Sequence, residues 1–166
     1  MTQLFMDFTK KILSANQLQD WREQLRREGK RLVATNGCFD VLHLGHVTYL
    51  EHARQQGDAL LVGVTSDINV RALKGAGRPL NQAGDRAAVL AALQSVDAVY
   101  IFPEPDARAF LAAIKPDIYV KGGDYTLETI NQDERRLLES AGVKIKILPV
   151  VPGKSTSALL EKINRL

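Results

Sequence analysis

Five short apolar runs, "RLVATN", "ALLVGVT", "AVYIF", "DIYVKG" and "VKIKILPV", recur along the chain with a helix-length segment between each pair. Runs of that length, rich in β-branched residues and bounded by turn residues, are strands buried on both faces. Parallel strands can be joined only through crossovers, and the intervening segments have the length and spacing of amphipathic helices. The alternation therefore predicts an α/β fold, a Rossmann-like doubly wound sheet of about five parallel strands with helices on both faces. No repeat, low-complexity segment or linker interrupts it, so residues 1–166 read as a single domain with an N-terminal helical extension over about 1–29.

In that extension Ser14 and Gln17 have the spacing of a capping box, Leu18, Trp21 and Leu25 share one face, and Gly29 ends the helix. Trp21 is expected in the core. Further helices are expected over about Gly45–Gln56, Asp85–Gln94 and Ala107–Ile114, around Glu134–Ala141, and from Ser155 or Thr156 onward. The stretch "KGAGRPLNQAG" reads as a polar loop.

Several function classes are disfavoured. The formal charge is +3 and the lysines and arginines are dispersed, so no nucleic-acid partner is implied. One cysteine excludes an internal disulfide, and no Cys/His spacing resembles a zinc finger. "MTQLFMDFTKKIL" lacks the continuous apolar region of a leader, and no apolar run approaches a membrane span. A soluble, cytoplasmic protein without a membrane partner is expected.

In doubly wound sheets ligands bind beyond the carboxyl ends of the strands, near the point where strand order reverses. Polar residues collect at those ends: "NGCFDVLHLGH" after the first strand, "SD" leading to Lys74 and Arg78 after the second, "KGGDY" after the fourth and "PGKSTS" after the fifth. His43 and His46 flank Gly45 at the expected start of a helix, whose free N–H groups and dipole favour an anion. Both rings could point at a phosphate there, and Gly45 would let a ligand approach the backbone. A spacing of three, with no further ligands nearby, fits zinc poorly. Two exposed loop histidines remain the alternative. Asp67 fits either a site position or a helix N-cap, and Asp40 reads as a loop brace. Cys38 reads as a packed small side chain, His52 as solvated, and Tyr125 as packing under the loop it follows.

"TNGCFDVLHLGHVTYL" resembles the first motif of the nucleotidyltransferase superfamily marked by His-x-Gly-His. Together with "SDINVRALKGAGRP", "VKGGDY" and "STSALLEKI", the resemblance runs from the capped first helix to the C-terminus. It is nearest to the heptose-1-phosphate adenylyltransferases, a family that also occurs as the C-terminal half of a bifunctional kinase–adenylyltransferase. The resemblance implies attack of a sugar 1-phosphate oxygen on the α-phosphorus of ATP, with pyrophosphate leaving, Mg²⁺ accompanying ATP and no covalent enzyme intermediate. ADP-heptose would then feed lipopolysaccharide core or another surface glycan.

Carried over residue by residue, the resemblance makes His43, His46 and Lys74 catalytic. It places Asn36, Gly37, Phe39, Gly45, Arg86, Gly122, Gly123, Asp124, Ser155 and Thr156 at the nucleotide. Asp67, Arg78 and Lys121 fall to the sugar phosphate, and no residue is assigned as a metal ligand. The chain departs from its relatives over "TLETINQDERRLLESAGVKI". Val150 and Val151 stand where the cytidylyltransferase branch often has an arginine, while Lys154 offers a charge nearby. A kinase step would come from another chain, and a homodimer is left open. The rival readings are a cytidylyltransferase acting on glycerol 3-phosphate or a similar alcohol phosphate, and a non-catalytic nucleotide-binding module.

Overall fold

The computed structural model describes residues 7–123 and 125–166. Among them, β1 (Leu32–Gly37), β2 (Ala59–Thr65), β3 (Ala98–Phe102), β4 (Ile118–Gly122) and β5 (Lys144–Leu148) form one parallel sheet in the order β3-β2-β1-β4-β5. The helices are α1 (Ala15–Arg27), α2 (Leu44–Arg54), α3 (Asp67–Lys74), α4 (Ala83–Ala91), α5 (Arg108–Ile114), α6 (Gln132–Ser140) and α7 (Thr156–Ile163). No described helix is long and apolar enough to cross a membrane.

The period of two along each strand divides the core into two halves. Leu32, Ala34 and Leu61 face α1, α5 and α6, where Leu18, Phe110, Leu111 and Leu138 complete one apolar cluster. Val33, Leu60, Val62 and Val64 face the other way, onto Leu50 and Ala53 of α2 and Ala87, Leu90 and Ala91 of α4. Trp21 is half-buried and packs against the first cluster rather than lying within it.

Two elements differ from the sequence reading. The stretch after β2 folds into α3 before the polar loop begins, because Ile68, Val70 and Leu73 alternate among polar residues over two turns; only Val70 is buried. Ahead of α1, the extension contains a short 3₁₀ turn over Phe8–Lys11 and then runs extended beside β3. Ile12 bridges to Val99 in parallel, and the Leu13 N–H donates to the Val99 carbonyl at 2.9 Å. Lys11 Nζ donates to the carbonyls of Leu93 and Val96 at 3.1 and 2.8 Å. The Ser14–Gln17 capping box forms as expected.

At the amino end of the sheet, one device is used three times. Asp58, Asp97 and Asp117 each precede a strand and accept a backbone N–H from the neighbouring segment: Arg31 at 2.8 Å, Leu60 at 2.7 Å and Leu32 at 2.7 Å. Each carboxylate also meets an arginine: Arg31 at 3.4 Å, Arg54 at 2.7 Å and Arg22 at 3.2 Å. Arg22 is buried, and it donates further to the carbonyls of Ile114 and Lys115, both at 2.8 Å.

Candidate active site

From β1 the chain steps outward to β2 and β3, then returns to the other side of β1 for β4 and β5. Strand order therefore reverses between β1 and β4, where two crossovers diverge and leave a crevice. An open cleft of about 690 Å³ lies there, bordered by the ends of β1 and β4, the starts of α2, α6 and α7, the segment entering α5, and the end of α3. Its size suits a nucleotide-scale ligand.

The two histidines sit at the first turn of α2. His43 is the N-cap, in extended conformation (φ −144°, ψ 171°) and without a side-chain cap bond. Its ring folds back over the helix start and stacks on His46, with centroids 3.9 Å apart and planes at 24°. That fold-back requires glycine at position 45, since a Cβ there would lie 2.9 Å from His43 Cε1 and 3.2 Å from Lys154 Cβ. Phe39, held at φ 48°, sets its ring edge-on to His46 at 5.3 Å and packs over Gly37. Phe39 and Gly37 thus support the imidazoles from beneath.

The Nδ1 atoms of both histidines are buried and have no hydrogen-bond partner among the described residues. Burial, with the charges of His43 and Lys74, pushes the His46 pKa down to about 4. Burial and nearby Lys154 lower that of His43. Both rings are therefore neutral at physiological pH, each with one N–H to donate. Lys74, the last residue of α3, is exposed on the cleft wall. Among the described residues no three His, Cys, Asp or Glu side chains converge closely enough to hold a metal ion. Stacked neutral imidazoles beside two ammonium groups and a helix start instead make a receptor for phosphoryl oxygens.

Arg78 borders the same cleft, and its Nη2 is buried without a partner among the described residues. Its Nε donates to Asp40 at 2.6 Å. Asp40, only 1% exposed at the side chain, also accepts the backbone N–H groups of Leu80 and Asn81 at 2.9 Å. Burial alone would raise the Asp40 carboxyl, but those N–H groups and Arg78 hold it below its ordinary range. Asp40 is the expected brace, and it aims Arg78.

Arg86 and Asp67 correct the sequence reading. Arg86 was expected at the phosphates, yet its guanidinium is fully buried and every edge is occupied. It donates to the carbonyls of Asn81, Cys38 and Thr65 and to Asp67 Oδ1 at 2.7 Å. A buried guanidinium needs such partners, and these four segments supply them ahead of any ligand. Asp67 is its counter-ion and the first residue of α3; Ser66 is the N-cap. Neither Arg86 nor Asp67 borders the cleft.

The end of β4 supplies the opposite wall. Lys121 Nζ donates to the Asn36 carbonyl at 3.1 Å and lies over the rings of Tyr119 and Tyr125 at 5.7 and 5.5 Å. Burial pulls its ammonium below the ordinary pKa, opposed by the charge of Glu134. Gly122 is needed for packing, since a Cβ would fall 2.7 Å from the ring of Tyr49. Gly123 turns the chain at φ 89°. Asp124 lies outside the described residues. At the start of α7, Ser155 Oγ accepts the Ala158 N–H at 3.1 Å as the helix cap and keeps its O–H to donate. Thr156 Oγ1 donates weakly to the Val41 carbonyl at 3.4 Å. Cys38 is half-buried on the cleft wall, and His52 is partly buried on α2.

The cleft therefore gathers Asn36, Gly37, Phe39, His43, Gly45, His46, Lys74, Arg78, Lys121, Gly122, Gly123, Ser155 and Thr156. It adds Asp106, Asn131 and Glu134, which the sequence reading missed, and brings Lys154 to His43. Asp106 follows β3 and so obeys the strand-end rule. Glu134 lies twelve positions past β4 inside a helix, where no motif marks it.

Comparison with known proteins agrees with this geometry. The model of the cytidylyltransferase-like family matches residues 34–161, from β1 into α7. The bifunctional protein HldE of Syntrophotalea carbinolica is 44% identical over 158 residues, covering 95% of this chain and 32% of its own length. That of Methylobacillus flagellatus is 49% identical over 146 residues, covering 88% and 29%. The chain thus spans about a third of the length of these curated relatives. A lipopolysaccharide core biosynthesis protein from Thermoplasma volcanium superposes with a TM-score of 0.61 at 30% identity, covering 74% of this chain and 98% of that one. A pantoate–β-alanine ligase from Francisella tularensis, at 14% identity and a TM-score of 0.56, shares the fold. With its sheet order, its histidine pair at the switch point and these matches, the chain belongs to the cytidylyltransferase-like family of nucleotidyltransferases.

Proposed function

We propose that the chain transfers the adenylyl group of ATP to a heptose 1-phosphate, giving ADP-heptose and pyrophosphate in the cytoplasm for lipopolysaccharide core or another surface glycan. The observation that carries the transfer chemistry is the stacked His43–His46 pair, with buried unpartnered nitrogens at the start of α2. In the reaction an oxygen of the sugar phosphate bonds to the α-phosphorus of ATP as the bond to the bridging oxygen of pyrophosphate breaks. Such chemistry needs no protein nucleophile; it needs donors that hold both phosphates in line and meet the charge that develops.

His43 and His46 donate N–H groups to α-phosphate oxygens, and Lys74 and Lys154 offset charge on the triphosphate. Arg78, with its free Nη2, takes the acceptor phosphate. Mg²⁺ enters as the counter-ion of ATP, because the cleft offers few free carboxylates and magnesium binds readily through nucleotide phosphates. The nucleoside lies along Gly122, Gly123 and Tyr125.

The adenine and heptose assignments are supported by the resemblance of the four motifs and by the HldE relatives. The second reading, CTP with glycerol 3-phosphate, is kept by the family description but lacks the arginine that Val150 and Val151 replace. Pyrophosphate release with each nucleotide and each acceptor decides between them. ATP is expected to exceed CTP by at least about tenfold in kcat/KM, equivalent to ~1.4 kcal/mol, with heptose 1-phosphate far better than glycerol 3-phosphate. A preference for CTP with glycerol 3-phosphate overturns the proposal.

A further inference from the structure

Glu134 is only 5% exposed, yet it borders the cleft at the third position of α6. Its Oε1 accepts the Ala107 N–H at 3.0 Å, which ties α6 to the segment entering α5. Its Oε2 lies 3.3 Å from the Tyr119 hydroxyl. That hydroxyl has one proton, and Asn36 Oδ1, at 2.6 Å, is much the nearer acceptor. The shorter bond goes to Asn36, so Oε2 has only the long, shared contact with that hydroxyl and keeps lone pairs for a further donor. A buried carboxylate oxygen with a single long, shared donor gains from a ligand that supplies another.

Donors stand beside it. Lys121 Nζ spends one N–H on the Asn36 carbonyl and keeps two. The Asn36 side-chain amide makes no donor bond among the described residues, its oxygen being fixed by Tyr119. The floor of the cleft thus presents one acceptor and two donor groups at the ends of β1 and β4 and the start of α6, whereas His43 and His46 stand at the start of α2, Lys74 at the end of α3 and Lys154 just ahead of α7. Glu134 and nearby Asp106 would repel a phosphate here. A sugar hydroxyl can donate to Glu134 while accepting from Lys121 or Asn36. The triphosphate falls to the starts of α2 and α7, and the nucleoside to the β4 loop with Tyr125, which leaves this floor to the other substrate.

We infer that Glu134, Asn36 and Lys121 form a subsite that reads the ring hydroxyls of the acceptor sugar, with Glu134 as the specificity-determining residue. This rests on the adenylyl-transfer reading above. A site built to pair a substrate hydroxyl rejects analogues lacking it far more strongly than an apolar pocket can.

The test compares the full chain with Glu134→Gln by pyrophosphate release, varying heptose 1-phosphate and ATP in turn. The amide keeps an acceptor for the Ala107 N–H, and thermal unfolding checks the fold. The expected result is at least a tenfold rise in KM for heptose 1-phosphate with KM for ATP unchanged within about twofold. An unchanged acceptor KM overturns the subsite, as does a shift in KM for ATP alone, which would place ribose there, or an equal shift in both. If the variant does not fold, the unaltered chain is assayed with deoxy analogues of the acceptor, each lacking one ring hydroxyl. A loss of at least tenfold in kcat/KM for one of them supports the subsite, and equal use of all of them overturns it. No turnover of the unaltered chain with ATP and heptose 1-phosphate defeats the parent reading before any variant is compared.

Discussion

The two ends of the sheet are built from similar residues and reach opposite outcomes. At the amino end, Asp58, Asp97 and Asp117 each pair with an arginine and with a neighbouring backbone N–H. At the carboxyl end, His43, His46 and Arg78 keep buried nitrogens with no partner among the described residues. One end has nearly completed its hydrogen bonds within the chain, so it contributes stability. The other leaves them open at a cost in stability, which ligand binding would recover. Even the exception is telling, because the unpartnered Nη1 of Arg22 at the amino end belongs to a guanidinium otherwise bonded to two carbonyls and a carboxylate.

Exchanging activity for stability at each end would break this contrast. The largest effect is expected from His43→Ala or His46→Ala. Each should lower turnover by roughly 10²-fold, the scale for losing a transition-state donor, while the urea midpoint stays level or rises. Near-normal turnover in both variants would remove the histidines from the chemistry. Next, Asp117→Ala should cost about 2 kcal/mol of unfolding free energy, because it strips the Leu32 N–H and the buried Arg22 of a partner. Its kcat/KM should stay near that of the unaltered chain, and a variant as stable as the original would show the clamp to be idle.

Gly45→Ala sharpens the comparison with a smaller change. The added methyl meets the His43 ring, so turnover should fall about tenfold, while alanine in a helix costs little and can stabilise. Equal loss of stability and activity would show that the close approach serves the fold alone. The effect of acid falls on stability. His46 titrates near 4 in the folded chain against an ordinary 6.5, so between those values the unfolded chain binds a proton that the folded chain refuses. Stability therefore falls as pH drops from 6.5 toward 4, and His46→Ala should make that fall shallower. For the same reason kcat/KM should show no inflection near pH 6.5 from His46; titration of the ring there, followed by NMR, would contradict its buried neutral state.

What could be read in the sequence follows the same division. The strands were legible because burial on both faces leaves continuous apolar runs, and the His43–His46 pair because it stands where a strand must hand over to a helix. Arg86 was misread because an arginine near a polar loop looks the same whether it meets a ligand or the chain's own carbonyls. Only the fold reveals that Cys38, Thr65 and Asn81 reach it first. Glu134 was invisible for the converse reason: a glutamate in the first turn of a helix is ordinary, and its proximity to Asn36 and Tyr119 arises from contacts across the sheet end. Helix α3 was passed over because its apolar side is half exposed, with Ile68 and Leu73 among the most open large apolar residues of the chain.

The extended segment before α1 bears on how molecules of this chain meet one another. Ile12 and Leu13 occupy part of the outer side of β3, and Lys11 closes over the turn that leads into that strand. An open strand flank is a template on which other chains can add strands and grow aggregates. Residues 11–13 therefore act as a built-in stopper, and a chain trimmed past Leu13 would offer β3 to its neighbours and lose solubility before it lost its nucleotide cleft.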